Sequence, residues 1–144
     1  MIKGNRNKIN LTTDNFSKFI ENDWLYVDKT EFIEHIFNDG NEILLFTRPR
    51  RMGKSLNMNT LHTFADIKND SAHLFKGLNI SQSRVFENIN KYCVMYLDFK
   101  NYGASDFENF KMSLKMNMQN ILYRYLSEAQ INPTVKKYLD DSGN

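Results

Sequence analysis

From Glu42 to Ala65 the sequence runs from a continuous apolar stretch, EILLFT (42–47), through a basic loop, RPRRMGKS (48–55), into a segment whose apolar residues Met58, Leu61, Phe64 and Ala65 recur at helical spacing. No other part of the chain constrains the fold as tightly. A short continuous apolar run suits a strand buried on both faces, as in a parallel sheet. The order strand, loop, helix is the frame in which a phosphate-binding loop works. Backbone N–H groups curl around phosphate oxygens, a lysine brings positive charge to the outer phosphates, a hydroxyl holds Mg²⁺, and the helix points its positive dipole end at the anion.

The full loop pattern is G-x-x-x-x-G-K-S/T. Gly53-Lys54-Ser55 supplies its second half, but Arg48 stands where the first glycine belongs and Pro49 follows it. Arginine tolerates positive φ poorly and proline removes one backbone donor, so the chain must enter a phosphate site by another path. Arg50 and Arg51 add positive charge nearby. The bland alternative is a solvated basic turn, since isolated G-K-S/T matches are mostly surface turns.

The remaining pattern alternates strand and helix. Phe16, Phe19 and Ile20 fall at helical spacing after Thr13 or Asp14 as a cap, and WLYVD (24–28) is strand-like. Asp28-Lys29-Thr30-Glu31 reads as a capping box opening a helix with Phe32, Ile33, Ile36 and Phe37 on one face, stopped at Asp39-Gly40. Residues 69–90 read as an irregular connection with one or two helical turns. YCVMYLDF (92–99) is a second strong strand candidate. Phe107, Phe110, Leu114, Met118, Ile121, Leu122 and Tyr125 then form a long amphipathic stripe, and Asn132-Pro133 looks like a further helix start. The expectation is an α/β fold, P-loop NTPase-like, with a parallel sheet flanked by helices and incomplete at its C-terminus. Residues 1–144 read as the N-terminal portion of one such domain, with 1–12 a loose entry segment.

Composition narrows the function classes. Apolar residues make up 41% of the 144 and aromatics 13%, enough for a packed core. The 19 basic and 17 acidic residues leave a formal charge of +2, which does not call for nucleic acid as a partner. No apolar run approaches the roughly 20 residues needed to cross a bilayer, and no apolar stretch follows the basic N-terminus, so a cytoplasmic protein is expected. The one cysteine, Cys93, lies in an apolar run and reads as a buried, inert thiol. His35, His62 and His73 share no metal-binding spacing.

YVDKT at 26–30 followed by TRPRRMGKSL at 47–56 resembles the AAA-ATPase-like family of bacteria and some archaea, whose members carry a YVDKT-type segment and then an RPRR-(F/M)-GK-(S/T) loop. LFKGLNI (74–80) and VMYLDF (94–99) fit that pattern in order and spacing, so the resemblance covers about Phe16 to Leu126. It implies ATP and Mg²⁺ as cofactors, with Lys54 on the β- and γ-phosphates, Ser55 on Mg²⁺ and Gly53 allowing close backbone approach. Arg48, Pro49, Arg50, Arg51 and Met52 would form the variant loop, running on into Leu56. Many members also carry a PD-(D/E)xK nuclease-like domain. Nothing in these residues matches it, and nuclease activity is not carried over.

A second acidic site is expected in such enzymes to organise Mg²⁺. Asp98 follows Val94-Met95-Tyr96-Leu97 and is a candidate, or else a strand-end aspartate, since Phe99 rather than an acid follows it. The family's acidic DEYD-type segment would fall beyond Asn144, so the chain reads as a fragment or a shortened gene, and hydrolysis by these residues alone is not expected. Asp28 and Lys29 are a second candidate for nucleotide contact, against the simpler reading of a capping aspartate and a solvated lysine. The rival function class is a degenerate P-loop scaffold meeting a protein partner, a further domain or nucleic acid. For it speak Lys111, Lys115 and Arg124 on the long helix, and Met112 and Met116 off the core stripe.

Overall fold

In a computed structural model the described residues are 2–47, 49–99 and 106–126. They fall into two compact units, one ending at Val94 and the other beginning at Met95.

The first unit has helices α1 (Phe16–Glu21), α2 (Glu31–Asn38) and α3 (Lys54–Ala65). Two short strands, β1 (Ile2–Lys3) and β2 (Tyr26–Val27), pair antiparallel. Asn15, rather than Thr13 or Asp14, caps α1, its side chain accepting from the Lys18 N–H at 3.2 Å. The first residues, expected to be loose, are tied down. Ile2 and Lys3 pair with Val27 and Tyr26, and the Leu25 N–H donates to the Lys8 carbonyl at 2.9 Å. Gly4 is required there, because at φ 88° a Cβ would run into the Trp24 carbonyl.

The expected parallel sheet is absent among the described residues. The β1–β2 pair is the whole of the sheet there, and it is antiparallel. EILLFT forms neither strand nor helix, and Ile43 is 87% and Leu45 86% exposed. YCVMYLDF likewise forms no strand, apart from one bridge between Tyr92 and Asp66. A strand buried on both faces exists only where neighbouring strands take up its backbone N–H and C=O groups. Apolar composition shows that residues would suit a ladder, not that the ladder has partners. Cys93, expected to be buried in that strand, is exposed.

The core gathers instead around the segment read as an irregular connection. Three 3₁₀ turns, Ala72–Phe75, Asn79–Gln82 and Arg84–Asn88, bury Leu74, Phe75, Ile80 and Val85, together with Leu78 just before the second, in one core with Phe16, Phe19, Tyr26, Ile33 and Phe64. Phe75 stacks on Phe16 with ring centroids 4.8 Å apart and meets Phe64 edge-on at 5.4 Å. Helix α3 joins this core through Thr60, Thr63, Phe64 and Ala65, with Leu56 and Leu61 packed beside them. Met58, placed in its apolar stripe by spacing, faces outward at 45% exposure. The second unit contains α4 (Phe107–Tyr125), capped by Asp106, which accepts from the Asn109 N–H at 2.8 Å. Phe110, Leu114, Met118, Ile121, Leu122 and Tyr125 are its half-buried row, as the periodicity predicts, while Phe107 is exposed.

Candidate functional site: the loop before α3

The loop turns sharply into α3 through two residues in the left-handed region, Arg51 at φ 64° and Gly53 at φ 74°, ψ 23°. A left-handed residue beside turn residues aims successive N–H groups to one side, which makes an anion-binding concavity. Glycine adopts this conformation without strain; an arginine does so at a cost of about 1–2 kcal/mol. Over Gly53 the space is open, with no atom within 4 Å of where a Cβ would stand. Helix α3 begins at the next residue, and its first bond runs from the Asn57 N–H to the Gly53 carbonyl at 2.9 Å.

Lys54 turns back over the loop, its Nζ donating to the Pro49 carbonyl at 3.0 Å. Pro49, without an N–H, thus serves the loop through its carbonyl. Ser55, half-buried in the first turn, carries the hydroxyl assigned to Mg²⁺ by likeness. Arg50, Arg51 and Met52 are exposed, and Leu56 packs on the core. Arg48 lies outside the described residues. The helix half of the expected frame is therefore in place, and the strand half is not.

The other candidates fare differently. Asp98 is a half-buried residue of the second unit. Asp28 is buried and fully engaged: Oδ1 accepts from the Thr30 N–H and hydroxyl at 2.9 and 2.7 Å, and Oδ2 from the Asn79 N–H at 2.8 Å. The expected capping box does not form: Asp28 accepts from the Thr30 N–H rather than that of Glu31, Thr30 is the residue at the helix start, and Glu31 accepts from the Asn79 amide. YVDKT thus ties the start of α2 to the LFKGLNI segment, reinforced by the Thr30 hydroxyl accepting from the Ile80 N–H at 3.1 Å. Tyr26 is fully buried, its hydroxyl meets no partner in good hydrogen-bond geometry among the described residues, and burial pushes its phenol up to about 12. The Thr60 side chain beside it works the other way, and Asp28 adds to the rise. Of the histidines, His62 pairs with the buried Asp66 at 3.2 Å.

The sequence reading missed a cavity of about 100 Å³ next to the loop, lined by Phe32, Ile36, Phe46, Lys54, Asn57 and Met58. The spacing of Lys54, Asn57 and Met58 (i, i+3, i+4) puts them on one helix face. Nothing in the sequence pattern shows that α2 and Phe46 come to meet that face.

The loop thus bends through two left-handed residues into the start of a helix, with a lysine folded back over it. The family profile described as "Predicted AAA-ATPase" matches residues 10–142, and the chain belongs to that family. It is similar to an "Uncharacterized protein in vnfD 5'region" of Azotobacter chroococcum mcd 1, 38% identical over 76 residues, which are 52% of this chain and 14% of that protein. The chain thus matches a small part of that relative's length. No solved structure matches. Among the described residues no helix is long and apolar enough to cross a membrane.

Proposed function

We propose that the loop from Arg48 to Leu56 binds the phosphates of ATP with Mg²⁺, as one part of a bacterial, cytoplasmic AAA-ATPase-like protein. The observation that carries this reading is the fold-back of Lys54 over a loop bent by left-handed residues at 51 and 53. The donor set suits a polyphosphate: backbone N–H groups at a helix N-terminus, an ammonium group at the loop and open space above Gly53. Lys54 holds the outer phosphates, Gly53 lets the backbone approach, and Ser55 offers the hydroxyl for Mg²⁺. The metal would supply charge neutralisation between the outer phosphates. The whole protein's activity and its partners, a further domain or another protein, belong to the same proposal. Hydrolysis is not assigned to these residues, because an acidic partner for Mg²⁺ is not among those the loop brings together.

Titration calorimetry with Mg-ATP tests this. Wild type is expected to bind, and Lys54→Ala to bind at least about tenfold more weakly, the scale of one charge-assisted hydrogen bond. Equal binding by the two proteins, or no heat from wild type at millimolar nucleotide, would favour the degenerate scaffold instead.

A further inference from the structure

The cavity beside the loop has a chemistry unlike that of the loop. Phe32 and Ile36 from α2, Phe46 and Met58 give it apolar walls, and its polar side chains are Lys54 and Asn57. Its volume of about 100 Å³ is several times the ~10–15 Å³ that one water molecule needs. Ligand sites have this composition, mostly apolar with a few placed polar groups. It shares Lys54 with the loop, so whatever fills it adjoins whatever the loop holds.

We propose that this cavity takes the base of the nucleotide, and that Asn57 selects adenine over guanine. The inference rests on the phosphate reading of the loop and adds to it the place and identity of the base. A nucleobase is a flat, apolar-faced group with polar edges, which matches aromatic and thioether walls with one carboxamide among them. A carboxamide offers a donor and an acceptor side by side. Adenine answers with N7 and its N6 amino group, whereas guanine presents two acceptors, O6 and N7, on the same edge. Phe46 is about half exposed, so it can be shortened with little cost to folding.

Calorimetry with Mg-ATP, Mg-GTP and magnesium tripolyphosphate, which has no base, separates the two readings. Wild type is expected to bind ATP about tenfold or more tightly than tripolyphosphate and to prefer ATP to GTP. Phe46→Ala removes most of the advantage of ATP over tripolyphosphate while leaving tripolyphosphate binding unchanged. Asn57→Ala keeps ATP binding above that of tripolyphosphate but levels ATP with GTP. If all three ligands bind wild type equally and Lys54→Ala weakens all three, the loop reading stands and the base pocket falls. If none binds wild type, both readings fall.

Discussion

Tyr26 shows how a single side chain records its surroundings. Its ring packs against Phe16 and Phe19, yet its hydroxyl is buried without a partner in good hydrogen-bond geometry among the described residues. The unfolded phenol ionises near 10 and the folded one near 12, so the unfolded chain gives up its proton first. The stability held by keeping Tyr26 neutral is therefore intact below pH 10 and is lost as pH rises to 12. It amounts to about 2–3 kcal/mol. Urea melts at pH 8, 10, 11 and 12 should show wild type losing this amount relative to Tyr26→Phe across that window. At pH 8 the phenylalanine variant should be at least as stable, because it removes an unsatisfied polar group. Parallel pH curves for the two proteins would show that the hydroxyl finds a partner. In the sequence the tyrosine was legible only as part of the strand-like WLYVD stretch; its full burial was not, because that depends on segments distant along the chain, such as α1 and Thr60.

At the scale of elements, local signals were read well and pairings poorly. α1, α2 and α4 follow from their apolar spacing, which depends on residues three and four apart, although the caps fall elsewhere than expected, at Asn15 for α1 and Thr30 for α2. β2 also appears where WLYVD suggested a strand, but its partner comes from the polar entry segment. EILLFT and YCVMYLDF carry strong strand composition and form no ladder among the described residues. The 3₁₀ turns supply Leu74, Phe75, Ile80 and Val85 to the core, although their apolar residues repeat at no regular period. They are positioned by long-range bonds such as those of Asp28, which local sequence reads only as a cap. Asp28→Asn places an amide against the Asn79 N–H and should cost about 1–3 kcal/mol by chemical denaturation. Its Mg-ATP affinity, measured on the folded fraction, should stay within about twofold of wild type, as for a residue whose bonds run to Thr30 and Asn79. An affinity loss matching that of Lys54→Ala would instead give YVDKT a direct nucleotide contact.

For the whole molecule, family membership was legible and architecture was not. The motif strings around Asp28 and Lys54 have a fixed order and spacing, and the family profile spans residues 10–142. A sheet, by contrast, depends on which segments meet, and composition along the chain does not encode that. The site divides along the same line. Gly53, Lys54 and Ser55 stand at the start of α3, where the local pattern placed them. Neither an acidic partner for Mg²⁺ nor the cavity next to Lys54 follows from local pattern. The central claim is that the amides from Arg51 to Ser55 face an anion. Backbone amide NMR shifts, followed during titration with Mg-ATP, test it most directly. The account predicts saturable shifts concentrated at residues 51–55 and lost in Lys54→Ala. Shifts absent from those amides while others move would contradict it.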